Sequence, residues 1–317
     1  MHTIFAKGLA LGAGALFSIN ALACASCGCS LSSDWDTQGI GARAGFKVDL
    51  RYDYLNQNQV RSGGSAVSTW PQAGHEQELK TVNRYTTLGL DYTTEGAWGF
   101  NLQLPYIDRS HATNGFNYDG TDYGESHTQS LGDVKFLARY NGFLNNPELG
   151  VQVGVKLPTG SHTEVFNAGP IAGQPLDRGL QPGTGTTDLL LGAYRTTTLT
   201  QTLDGYAQVL AQMPLNSKDG YKTGNSVNVN LGVRYTDLGR LEPQFQLNAR
   251  AIGKDKGANA TPADSGGVTV YASPGATYEV NDKLSVYGFV QLPVYQYLNG
   301  YQLAPRYLVS VGTRFSF

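Results

Sequence analysis

The segment VNVNLGVRY, residues 227–235, sets Val227, Val229, Leu231, Val233 and Tyr235 on one side of an extended chain. Asn228, Asn230 and Arg234 fall on the other side. Strict alternation over this length marks a strand with two unlike faces. FKVDLRYDY (46–54) repeats the pattern, with Phe46, Val48, Leu50, Tyr52 and Tyr54 opposing Lys47, Asp49, Arg51 and Asp53. PQFQLNARA (243–251) sets Phe245, Leu247, Ala249 and Ala251 against Gln244, Gln246, Asn248 and Arg250. A soluble sandwich also alternates, but it normally keeps charge on a freely varying solvent face. Here the polar face is glutamine, asparagine and charge of both signs, and the apolar face is wide and ends in aromatics.

Segments of this kind cover roughly 43–55, 81–94, 98–111, 131–141, 149–160, 187–198, 204–216, 225–236, 241–253, 267–280, 284–297 and 306–317. Most are long enough for a tilted strand of about 9–11 residues to cross a bilayer. Short connections, TEGA (94–97), GFLNNPE (142–148), TDLGR (236–240) and VNDK (280–283), alternate with long polar ones at 56–80, 112–130, 161–186, 217–224, 254–266 and 298–305. Short turns at one end and long loops at the other predict an all-β, transmembrane, antiparallel up-and-down β-barrel of about twelve strands, with both termini periplasmic.

Composition agrees. Charged residues make up 15 % of the chain, Gly numbers 40 and Tyr 19, and the mean hydropathy is -0.27. That mix favours strands and turns. No stretch is apolar enough for a spanning helix. A net charge of -2 leaves no basic footprint for nucleic acid.

Two short motifs recur. LGLDY (88–92), FLARY (136–140), LGVRY (231–235), GATY (275–278) and GTRF (312–315) each end in an outward aromatic. Tyr92, Tyr140, Tyr235, Tyr278 and Phe315 would form the periplasmic girdle of such a barrel, at headgroup height. QLP (103–105), KLP (156–158), QMP (212–214) and QLP (291–293) end in a proline that cannot donate to the ladder. Each marks a bulge or a strand's exit into a loop, with Gln103, Lys156, Gln212 and Gln291 inward near the outer mouth. The chain closes on YLVSVGTRFSF, whose terminal Phe317 reads as the signal for the barrel-assembly machinery.

By parity Lys47, Arg51, Asp91, Asp133, Lys135, Arg139, Lys156, Arg234, Arg250 and Arg314 face inward. They either brace the wall as salt bridges or set selectivity, and surplus arginine would favour anionic or polar solutes. Twelve strands lie between the side-chain-filled barrel of eight and the open channel of 16–18, so a narrow lumen is expected.

The first 23 residues, MHTIFAKGLALGAGALFSINALA, have a lysine, a short apolar run and an A-x-A site, the plan of a secretory signal peptide cleaved after Ala23. Cys24 would then lead the mature chain. A lipoprotein signal also places a cysteine there, although the usual leucine three positions earlier is Ala21. Cys24, Cys27 and Cys29 form a C-x-x-C-x-C array that suits a disulfide or a soft metal ion such as Cu(I) or zinc. Residues 24–42 are expected to hang in the periplasm or fold into the lumen, ahead of a barrel spanning 43–317.

SLGDVKFLARYNG (130–142), GVQVGVKLPTGS (150–161) and LQPGTGTTDLLLGAY (180–194) resemble the outer-membrane transporters associated with the phenol meta-cleavage pathway. The resemblance implies an outer-membrane barrel for uptake of aromatic or other small hydrophobic compounds, and it carries no functional residues over. His75, His111, His127 and His162 all fall in or at the rims of long loops, none mid-strand beside a serine, so no enzyme is expected. The leading expectation is an outer-membrane channel for small solutes, with lipid, the assembly machinery and the solute as partners and no cofactor. The alternative is the barrel of a copper-type metal or redox system, whose thiols would meet a periplasmic metal or redox protein.

Overall fold

The computed structural model describes residues 35–40, 44–68, 76–117, 119–142 and 148–317. Cys24, Cys27, Cys29 and the signal segment 1–23 lie outside the described residues.

The strands are β1 (Gly45–Gly63), β2 (Ser65–Ala66), β3 (Glu78–Thr93), β4 (Trp98–Thr113), β5 (Gly124–Leu131), β6 (Val134–Tyr140), β7 (Leu149–Leu157), β8 (Asp188–Thr200), β9 (Leu203–Pro214), β10 (Ser226–Tyr235), β11 (Leu241–Ile252), β12 (Gly267–Glu279) and β13 (Leu284–Ser316). Every ladder is antiparallel, and the order β13-β12-β11-β10-β9-β8-β7-β6-β4-β3-β1 closes through a β13–β1 pairing. Closure removes the exposed sheet edges that would otherwise invite aggregation.

β13 supplies two wall strands. Its first arm pairs with β12 from Ser285 to Leu298, and its second pairs with β1 from Leu298 to Ser316. The chain reverses at Asn299-Gly300, where Gly300 takes φ +57°. Gly300 supplies the left-handed conformation the tight reversal needs, which glycine adopts without a Cβ clash. The long loop expected at 298–305 is therefore a tight turn.

β4 meets β6 through Trp98–Gln103 and β5 through Tyr106–Thr113. β5 and β6 thus form one wall strand, broken at Gly132-Asp133 beside Pro105. The barrel counts twelve wall strands in this way. The stretch 112–130, expected as loop, contains β5, and β1 runs past residue 55 to Gly63.

All four prolines sit at irregularities. Pro105 marks the partner switch on β4, Pro214 ends β9, Pro158 follows the last residue of β7, and Pro293 faces the register shift at Val270/Tyr271.

Packing is inverted relative to a soluble domain. The largest fully buried side chains include Arg139, Gln57, Gln246, Gln291, Gln302, Asn83 and Asn101, while Leu231, Val153, Leu292 and Leu50 stand 48 %, 49 %, 46 % and 48 % exposed. A two-sheet sandwich would bury the second set and expose the first, so the alternation serves a polar lumen and an apolar outer wall.

Tyr92, Tyr235, Tyr278 and Phe315 are exposed on that wall at the short-turn end. Tyr140 is half-buried there, its ring 4.8 Å from Trp98. Phe317 packs edge-on to Phe315 at 4.9 Å and is 69 % exposed. Towards the long-loop end the outer face turns polar: Arg84, His127 and Gln129 all bond to Asp108. That change of chemistry marks where the apolar band stops.

Candidate functional site

Two segments narrow the lumen, one nearer each end, and a cavity of about 250 Å³ lies between them. Each closure is built from chain that returns inside the wall and is held by buried charge.

The lower closure, nearer the short turns, is the segment 35–40. Trp35, Gln38 and Ile40 are buried, and Trp35 packs 4.4 Å from the ring of Tyr206. The Arg234 guanidinium lies 4.4 Å above the Trp35 ring on one side and reaches Glu242 at 3.0 Å on the other. A cation over an indole face is favourable, more so away from water. Arg139 donates to both oxygens of Asp91, at 2.5 and 3.0 Å, and to the Gln38 carbonyl at 2.5 Å. Gln208 donates to the Gln38 side chain at 2.8 Å. Residues 35–40 thus lie against the inward side chains of Arg139, Tyr206, Gln208 and Arg234.

The upper closure is the segment between β7 and β8, which turns inward at residues 158–187. Phe166, Leu176 and Leu180 form its own small apolar cluster. Arg109 on β4 donates to the Leu180 carbonyl at 2.6 Å, to Asn83 at 2.5 Å and to the Tyr85 hydroxyl at 3.0 Å. Lys156 on β7 donates to Asp133 at 2.6 Å, to Thr184 Oγ1 at 2.6 Å and to the Thr186 carbonyl at 2.8 Å, with Asp188 3.5 Å away. Asp133 accepts in turn from the backbone N–H of Gly160 and Thr184. Both ends of the inward segment are therefore tied to one lysine and one aspartate. Near the rim, burial raises the Glu76 pKa above the usual carboxylate range, against the smaller opposing influence of its polar neighbours Asp177 and Thr113.

Across the wall runs a row of amides. Ser273 donates to Asn248, Asn248 to Asn230, Asn230 to Gln208, and Gln208 to Gln152, with distances of 2.6, 2.9, 2.9 and 3.0 Å. The row crosses from β12 to β7, passing Gly192 of β8, where a Cβ would come 3.2 Å from the Gln152 oxygen.

The lumen-lining candidates fall into three groups. Gln103, Asp133, Lys135, Lys156, Gln212, Arg250 and Arg51 line the cavity. Arg139, Arg234, Lys47 and Arg314 sit towards the lower closure; Lys47 is paired in register with Asp91 and Ser316, and Arg314 reaches Ser285 at 3.2 Å. Gln291 is fully buried, 3.5 Å from Ser310, away from the cavity.

Arg109, Asp188 and the inward tyrosines Tyr85, Tyr194 and Tyr206 had no place in the sequence reading. Arg109 shares the parity of Gln103 and Ile107 through Pro105, so following the alternation past the proline would have found it. Asp188 opens the poorly alternating β8.

His111 lies within β4 rather than in a loop rim, and is buried. Thr81 Oγ1 at 2.9 Å and Glu78 at 4.0 Å both approach its Nδ1, so hydroxyl and carboxylate do not flank opposite ring nitrogens as a proton relay requires.

A closed antiparallel barrel with aliphatics outside, amides and paired charges inside, and a cavity in its bore is a transmembrane β-barrel. Its shape is similar to the COG4313 outer membrane channel from Pseudomonas putida F1, with a TM-score of 0.65 and 14% identity over 91% of this chain and 100% of that one. It is also similar to the translocator domain of the autotransporter NalP from Neisseria meningitidis, with a TM-score of 0.51 and 12% identity over 89% of this chain and 94% of that one. At such identities the likeness is one of fold. No family model matches the chain, and no curated protein matches it by sequence.

Proposed function

We propose that the protein is an outer-membrane channel for small solutes in a Gram-negative envelope, exported by a cleaved signal peptide and assembled through its C-terminal strand. The observation that carries this reading is the cavity of about 250 Å³ inside a wall whose outer face is apolar. A structural barrel filled by side chains would leave no such space. The name of the Pseudomonas putida channel supports the same reading, and the resemblance of 130–194 to phenol-pathway transporters points to aromatic solutes. The two inward segments narrow the bore in series, so conductance should be small and sensitive to the residues that hold each of them. The test is purified mature protein in planar bilayers and in liposome-swelling assays with aromatics, sugars and anions. Discrete small currents and solute-dependent swelling are expected; a silent bilayer together with no swelling for any solute would sink the reading.

A further inference from the structure

We infer that the cavity between the two closures selects small organic anions with an apolar body of about one ring. The inference rests on the channel reading and names the class of solute. Six cationic side chains reach the cavity, Arg51, Arg109, Lys135, Lys156, Arg178 and Arg250, against the single carboxylate of Asp133. Of the carboxylates that pair with these cations from outside the cavity, Asp219, 3.6 Å from Arg178, is half exposed, and the other two are recessed. Asp53 lies 2.8 Å from Arg51, and Asp188 lies 3.5 Å from Lys156; both are wholly buried, and neither lines the cavity. Arg109 is held by carbonyls, an amide and a phenol. The field at the cavity surface is therefore positive, and low-dielectric walls concentrate it.

The walls are also unlike each other. Tyr85, Pro105, Ile107 and Leu137, from β3, β4 and β6, give one apolar side. Across from it Gln208, Gln212, Asn228 and Asn230 present amides. A sugar would leave the first side unfilled, and a hydrocarbon would strip water from the cations without replacing its hydrogen bonds, which is costly. A molecule with a ring at one end and a carboxylate at the other satisfies both. The volume falls below the roughly 300–1,000 Å³ of pockets that hold drug-sized ligands, which limits the body to about a single ring.

The test uses mature protein in detergent, titrated calorimetrically with benzoate, benzyl alcohol and benzylammonium, which share a ring and differ in charge. Benzoate should bind about tenfold or more tightly than benzyl alcohol, the effect of one charge-assisted hydrogen bond, with benzylammonium weakest. Arg250→Gln and Lys135→Gln should each weaken benzoate about fivefold and narrow its lead over benzyl alcohol, with heat-modifiable gel migration showing that each barrel is folded. If one variant does not fold, the other carries the comparison. Under a salt gradient in a planar bilayer the reversal potential should lie on the anion-selective side. Equal or tighter binding of benzyl alcohol, no binding of benzoate, or cation selectivity would overturn the inference. Conductance without a preference for benzoate removes the solute class and keeps the channel; benzoate binding in a barrel that never conducts removes the channel and keeps the anion site.

Discussion

Arg139 of β6 grips Asp91 of β3 by reaching over β4, the strand between them. It can do so because position 99 is glycine: a Cβ there would come within 2.9 Å of the guanidinium carbon. Gly39, with φ +68°, is pressed against the same guanidinium from the segment 35–40. Two glycines and one ion pair thus fix where the lower closure crosses the bore.

We predict that Arg139→Ala releases this closure. Breaking a buried pair by removing one partner costs about 3–5 kcal/mol, because the remaining charge is left uncompensated. Single-channel conductance should rise and thermal unfolding should shift downward. Gly99→Val should raise conductance in the same direction while keeping both charges. An unchanged conductance in both variants would show that the Arg139–Asp91 pair does not hold the segment.

Lys156→Met should act on the other closure. It leaves Asp133 and Asp188 buried with their common cation gone and removes the bond to the Thr186 carbonyl. We predict faster protease cleavage within 158–187 and a larger, noisier current. Lys156→Arg, which keeps the charge but not the compact ammonium, should be intermediate. Protection equal to that of the parent protein would refute the role given to Lys156.

On the outer wall, Leu231→Arg places a charge mid-strand against lipid. The expected cost is about 2–4 kcal/mol near the bilayer midplane, measured as the shift in urea-dependent folding into vesicles. Ala258→Arg, on the exposed long loop between β11 and β12, should be close to neutral. Equal effects at the two positions would mean that Leu231 does not face lipid.

The rim should respond to pH. Glu76 has a raised pKa through burial, so its neutral form is favoured in the folded protein. Its contribution to the seating of the upper segment is fully present below the ordinary glutamate pKa and is lost as pH rises through the raised value, where Glu76 comes to carry a buried negative charge. Conductance should therefore increase with pH across that window. Glu76→Gln should flatten the profile; a profile identical to the parent's would assign the response to another group.

The wall was legible because lipid imposes one rule on every outward position from Val227 to Leu231 and from Phe245 to Leu247. It was legible only as far as that rule runs. Above Tyr106 the outward residues are Asp108, Arg84 and His127, which alternate with equally polar inward ones, so β5 and the top of β1 read as loop. The Asn299-Gly300 turn was hidden for a different reason: apolar side chains stand on both faces around it, Tyr295 and Tyr297 exposed and Leu298, Leu303 and Ala304 buried, so no alternation bounds it. Parity placed inward residues but not their partners. Arg109 bonds to carbonyls 70 to 72 positions away and Arg139 to one 101 positions away. No local pattern announces where a segment that leaves the wall will come back to it.

The amide row from Ser273 to Gln152 has a polarity of its own. Every link donates in one rotational sense around the bore, from the Ser273 hydroxyl at the first and from an amide nitrogen at each of the others. Turning one rung by half a revolution would set two nitrogens face to face on one flank and two oxygens on the other. The rungs can therefore reorient only in concert, which makes that arc of the cylinder mechanically stiff. Any breathing that admits a solute falls to the remaining arc, from β6 through β4, β3 and β1 to β13, whose wall is interrupted at Gly132-Asp133 beside the row's end on β7.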